Sequence, residues 1–276
     1  MSSHKHHMLE NIQILRAIAA LLVVLHHALP HYEAMGGSLE PVKHIGAWGF
    51  TGVDIFFVIS GYIMVYTTID KPRTLSSAKR FVKHRFFRIY LGYWPFFAVM
   101  LLALYLTDPA RLASLDITGS FLLTQTDMFK LVLPVSWSLG YEVYFYLLIT
   151  LTFFLPSRYL KQLMLLWTLS GAEIIVSLAW HTPKTPIFYD PFLLEFFSGM
   201  LLYLLDKHLI RSRYLFPLIA AVFAAYSFGI VHEYKKRVLT FGSGAAGMVW
   251  IALILERYRY IEHPIYRKAI SIGERS

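Results

Sequence analysis

The chain has 276 residues; 57% are hydrophobic, 16% are charged, and the mean hydropathy is +0.52. An average soluble domain carries about a quarter charged residues, so this composition excludes an ordinary water-soluble globule and indicates a polytopic membrane protein. The formal net charge of +9 fits the cations that membrane proteins gather in cytoplasmic loops and calls for no nucleic-acid partner; the absence of cysteine excludes disulfides and thiolate metal sites, and no metal site is expected.

A membrane helix takes about 20 mostly apolar residues. That template predicts about eight spans, near 11–30, 46–68, 87–107, 136–155, 162–180, 188–206, 214–231 and 238–256, an all-α transmembrane helix bundle forming one domain over 1–276. The opening "HKHH" reads as an untethered end rather than a metal site. No small-residue cleavage site follows the short basic start, so the first span reads as a retained helix and not a signal peptide.

The first span, "NIQILRAIAALLVVLHHALP", carries Arg16 near one end and His26 and His27 near the other. An ionisable group inside such a segment costs several kcal/mol unless it meets a polar cavity or a partner. Arg16 and His27 are eleven residues apart, which on a helix leaves them only about 20° apart and about 16 Å distant along the axis. A guanidinium suits a phosphate or carboxylate, and an imidazole suits proton transfer. Singly, each fits a snorkelling cation or a hydrogen-bonded structural histidine; sharing one face, they point to function. His26 lies about 100° away and reads as structural.

The second span, "GFTGVDIFFVISGYIMVY", opens with Asp54, which either orients a histidine or sits at the interface, and holds Ser60 and Gly61, small enough for close helix approach. A cation-rich loop then leads into "KRFVKHRFFRIYLGYW", where cytoplasmic anchoring and an aromatic belt account for most residues. Arg85 and Arg88, three apart, share a face and are spaced to clamp an anionic group such as a nucleotide phosphate. After a loop near 108–135, "PVSWSLGYEVYFYLLI" places Glu142 inside the fourth span, where a carboxylate needs a partner. Trp137, Ser138 and Tyr141 beside it are either belt residues or an acceptor platform. Glu195 is a second intramembrane carboxylate.

Orientation follows from the loop cations. With the N-terminus inside, the inner loops hold Lys71, Arg73, Lys79, Arg80, Lys83, Arg85, Arg88 and a series from Arg158 to Lys268, whereas the outer loops hold Lys43, Arg111, Lys130, Lys184 and the cluster Lys235, Lys236, Arg237. The asymmetry favours a cytoplasmic N-terminus, with the last cluster a local exception.

Together, "LRAIAALLVVLHHA", "GVDIFFVISGYIM", "HRFFRIYLGYW", "SWSLGYEVYFYLL" and "LLEFFSGMLL" resemble, in order and over nearly the whole chain, the integral-membrane acyltransferase-3 family, and the opening segment is most similar to its exopolysaccharide-acetylating branch. The resemblance implies a multi-pass protein of the bacterial inner membrane that moves an acyl group, acetyl above all, from cytoplasmic acetyl-CoA or another acyl-CoA to a hydroxyl of a polysaccharide or lipid-linked sugar. No bound cofactor is implied; acyl-CoA is the donor substrate, and the other partners are the sugar acceptor and membrane lipid. It implies Arg16, Arg85 and Arg88 on the CoA phosphates, His27 as general base or transient acyl carrier, and Glu142 as orienter of His27. Family members usually have about ten spans, and "AISIGERS" looks like the start of a block that normally continues into further helices, so the domain is expected to be incomplete at its C-terminus. Tyr141 stands where many relatives have an acid beside Glu142, which removes a carboxylate pair. A flippase or transporter of lipid-linked sugars, or an inactive truncated scaffold, would share the spans and buried charge. The transporter would not need a histidine placed for proton transfer or a paired-arginine phosphate site.

Overall fold

The computed structural model describes residues 9–38, 40–156, 190–205, 212–232 and 237–257. The span at 162–180, the "HKHH" and "AISIGERS" segments, Lys235, Lys236 and the loop cations Arg158, Lys161, Lys184, Lys207, Arg211, Arg259, Arg267 and Lys268 lie outside the described residues. Every regular element among the described residues is helical. In chain order they are α1 (Glu10–Ala34), α2 (Glu40–Ala47), α3 (Thr51–Thr68), α4 (Leu75–Thr107), α5 (Pro109–Ala113), α6 (Ile117–Leu122), α7 (Trp137–Leu151), α8 (Leu193–Leu204), α9 (Leu215–His232) and α10 (Ser243–Arg257). A π-helical turn, Val238–Gly242, leads into α10. Four of these segments are long and apolar enough to cross a membrane: Glu10–Ala34, Thr51–Thr68, Leu75–Thr107 and Val238–Arg257.

The described residues up to Tyr66 and from Leu194 onward form one compact unit. Helix α1 has no side-chain cap of its own. Its first amides are met instead by Glu256 of α10, whose Oε1 and Oε2 accept from Glu10 N at 3.2 Å and Asn11 N at 2.6 Å. A carboxylate suits that position because the free N–H groups and the helix dipole both favour negative charge. The core of this unit gathers Ile12 and Ala19 of α1, Ile55, Val58 and Ile59 of α3, and Val249 and Leu253 of α10. Helices α3 and α8 cross backbone to backbone: a Cβ on Gly61 would lie 2.0 Å from the Phe196 carbonyl oxygen, and one on Gly199 would lie 1.9 Å from that of Val58. Each contact point is a Ser-Gly pair, and only glycine allows such an approach.

The residues from Thr67 to 156, with 190–193, form the second unit. Here the expected loop before the third span is corrected. From Leu75 the cation-rich stretch is already helix and continues without a break to Thr107. Thr74 caps it, its side chain accepting from Ser77 N at 3.2 Å, and no proline or glycine intervenes before Gly92 to stop it. Arg73 ties the turn before it: its Nη2 donates to the carbonyls of Thr68 and Ile69 at 2.8 and 2.7 Å, and its guanidinium lies 5.1 Å from the Phe153 ring. Burial pushes the Arg73 guanidinium below its ordinary pKa, and the Asp70 charge opposes that shift.

The expected loops at 31–45 and 108–135 are also corrected in part. Helix α1 runs to Ala34 and α2 follows; Lys43 Nζ lies 3.1 Å from Glu33 Oε1. In the second loop Asp108 and Asp116 cap two short helices through Arg111 N and Gly119 N. The carbonyls at the end of α6, which have no intrahelical donor, accept from α4: Tyr93 Oη to Ser120 at 2.8 Å, Tyr90 Oη to Leu122 at 2.9 Å and Trp94 Nε1 to Phe121 at 3.3 Å. Three aromatics read from sequence as an interfacial belt thus hold a loop against the helix.

Candidate active site

In the first unit α1 is continuous from Arg16 to His27, so their angular offset stands as the spacing requires. Their surroundings differ along the axis. Arg16 is 7% exposed, within the core of the unit, and its Nη1 donates to Gln13 Oε1 at 3.0 Å. His27 is exposed. His26 is half-buried with Nδ1 at 2.9 Å from the Gly46 carbonyl. A carbonyl only accepts, so Nδ1 of His26 carries a proton. The His26 ring also stands edge-on to His27 at 5.1 Å and to Phe50 at 5.8 Å.

Asp54 fits neither sequence alternative. It is 0% exposed in the first turn of α3, and its partner is an arginine. Arg237 grips it with a two-point fork, Nε to Oδ1 at 3.1 Å and Nη2 to Oδ2 at 2.9 Å. Arg237 also donates to the Phe50 carbonyl at 3.2 Å and sits 4.8 Å from the Phe50 ring. Sequence reasoning counted Arg237 as an outer-loop cation; the signal available was Asp54 itself, since a carboxylate in a span requires a partner. Glu195, 1% exposed at the start of α8, lies against the π-turn, with Oε1 only 2.8 Å from where a Cβ on Gly242 would stand. It borders a cavity of about 550 Å³ between α8, α9 and α10 whose lining is otherwise largely apolar.

In the second unit α4 and α7 bring two of the expected site residues together. Arg85 is half-buried, with its guanidinium carbon 5.5 Å from the Phe81 ring and 5.2 Å from the Tyr146 ring. Tyr146, one helical turn after Glu142, is buried and donates its hydroxyl to Glu142 Oε1. Arg85 and Glu142 therefore meet the same tyrosine. Arg88 is exposed on α4, one turn on. A cavity of about 180 Å³ opens between the two helices, lined by Arg85, Tyr90, Tyr146 and Thr150 among apolar residues. Tyr146 was missed from sequence, although a hydroxyl four residues after a carboxylate on one helix is positioned to reach it. Tyr141 donates to Asp190 Oδ2 at 2.7 Å, and Trp137 packs on Tyr141 and Phe192 at 5.8 and 5.0 Å.

The first unit presents an exposed imidazole on α1, and the second a half-buried arginine on α4 and a carboxylate held by a phenol on α7. Comparison with known proteins gives the chain a family. Residues 9–264 match the profile described as an acyltransferase domain. Over 177 residues the chain is 29% identical to the exopolysaccharide production protein ExoZ of Rhizobium meliloti (strain 1021), an alignment covering 60% of this chain and 53% of that protein. The chain thus spans about half the length of that curated relative. No solved structure matches it significantly. With its profile match running from the start of the first helix past the end of the last one described, the chain belongs to the acyltransferase-3 family.

Proposed function

We propose that the protein transfers an acyl group, acetyl above all, from cytoplasmic acyl-CoA to a hydroxyl of an exopolysaccharide or lipid-linked sugar, from the bacterial inner membrane with its N-terminus cytoplasmic. The observation that carries this reading is the family match over 9–264, and the similarity to a protein named for exopolysaccharide production supports the acceptor class. Arg85 and Arg88, at the charged end of α4, offer donors suited to the CoA phosphates, and Arg16 adds a third cation from α1. His27 takes the proton of the acceptor hydroxyl as its oxygen bonds to the acyl carbon; the carbon–sulfur bond breaks and CoA leaves as thiolate. The exposure of His27 suits a base that must meet a bulky glycan. Glu142 contributes a carboxylate on α7 whose Oε1 accepts from the Tyr146 hydroxyl.

The test is release of free CoA from acetyl-CoA by purified protein, with and without a glycan acceptor. Release that depends on the acceptor, with the acyl group recovered on the sugar, is expected. Absence of acceptor-dependent release by a folded protein that contains every residue of its open reading frame removes the reading.

A further inference from the structure

We infer that Tyr146 is the positioning residue that links donor binding to the intramembrane carboxylate, its ring seating Arg85 and its hydroxyl holding Glu142. The inference rests on the acyl-transfer reading and adds to it a residue with two separable duties. Tyr146 is 6% exposed on α7, and the ring of Phe81 from α4 stands edge-on to it at 6.1 Å, so the phenol has little freedom to turn. Its hydroxyl donates to Glu142 Oε1. A phenol donating to a carboxylate makes a charge-assisted hydrogen bond that fixes where the second oxygen points. Phenylalanine would keep the ring and leave Oε1 without this donor.

The ring works on the other partner. The Arg85 guanidinium lies over it at 5.2 Å and over Phe81 at 5.5 Å. A cation resting on aromatic faces uses none of its N–H groups in doing so, and the fork stays available to an anionic ligand. Arg85 and Tyr146 both line the cavity of about 180 Å³ between α4 and α7, so an anion held there by Arg85 would lie close to the tyrosine that holds Glu142.

The two duties come apart in two substitutions on the full chain, read by steady-state CoA release with a saturating glycan acceptor and by equilibrium binding of CoA. Tyr146→Phe keeps the ring. It is expected to leave CoA binding and KM for acetyl-CoA unchanged while kcat falls about tenfold or more, the rate equivalent of one hydrogen bond to a charged group. Tyr146→Leu loses the ring as well and should additionally weaken CoA binding and raise KM about two- to fivefold, the equivalent of one cation–π contact. Thermal melts of both variants confirm that folded protein is compared. Full kcat in Tyr146→Phe, or Phe and Leu variants that raise KM alike, overturns the inference while the acyl-transfer reading stands. A wild-type protein that neither binds CoA nor releases it from acetyl-CoA overturns that reading first and the inference with it.

Discussion

Asp54 and Arg237 state the cost of charge inside a membrane protein most directly. Asp54 is fully buried, and the arginine returns two hydrogen bonds to it. Removing one partner leaves the other charge uncompensated, which typically costs about 3–5 kcal/mol, whereas replacing both by apolar residues of similar volume is far milder. Asp54→Asn and Arg237→Ala should therefore each lower the melting temperature in detergent sharply. Arg237→Lys should recover part of the loss, because an ammonium cannot reproduce the fork, and an Asp54→Leu/Arg237→Met double variant should lie closer to wild type than either single change. Melting curves indistinguishable from wild type for both single variants would refute this account. The two histidines separate along similar lines. His27 is exposed and His26 is tied to Gly46, so His27→Ala should cost about 10²–10⁴ in transfer rate at normal membrane abundance. His26→Ala should instead lower stability while the folded fraction still transfers. Surface-polysaccharide acetylation, normalised to immunoblotted protein, distinguishes the two, and normal acetylation with His27→Ala removes it as the base. Arg85→Ala with Arg88→Ala should raise KM for acyl-CoA and leave acceptor dependence unchanged in the same assay.

Among elements, the crossing of α3 and α8 is the most demanding fit. A side chain on Gly61 or Gly199 would overlap a carbonyl oxygen of the facing helix. Gly61→Val should force the helices apart and cost at least about 1–3 kcal/mol, read as a lowered melting temperature; an unchanged melting temperature would show that the crossing tolerates more room than its geometry indicates. The same elements show what the sequence could tell. Hydropathy located α1, α3 and the segment through α10, because spans of that kind are long, apolar and punctuated by charge or glycine. It placed the start of α4 wrongly, since hydropathy measures preference for lipid, while the lysines and arginines between 79 and 88 are good helix formers behind a threonine cap. Spacing could place Arg85 and Arg88 on one face but gave no account of Tyr146, whose importance depends on a second helix lying against it. Arg237 was hidden for the opposite reason: it sits beside Lys235 and Lys236 and looks like one more loop cation, and only its contact with Asp54 sets it apart.

For the whole molecule, that assignment bears on orientation. Arg237, half-buried and paired with Asp54, is not a free loop charge, and the proposed cytoplasmic N-terminus rests on the loop-cation asymmetry of the sequence. The chain has no cysteine, so a single cysteine at the exposed Ser76 should resist an impermeant maleimide in intact cells and label after permeabilisation. Labelling in intact cells would invert the topology. Helix α4 carries one more consequence. Its 33 residues make a rod about 50 Å long, against a hydrocarbon thickness of about 30 Å. Arg85 and Arg88 ride on the same continuous helix as the apolar stretch that follows them, with no loop between the two although Gly92 and Pro95 lie within it, so their height is coupled to that of the apolar turns. A thicker or thinner bilayer must tilt the rod or deform around it, and either response shifts the two guanidinium groups relative to the headgroups. The proposed donor affinity should therefore vary with lipid chain length in reconstituted vesicles, which would make membrane thickness itself a regulator of this reaction.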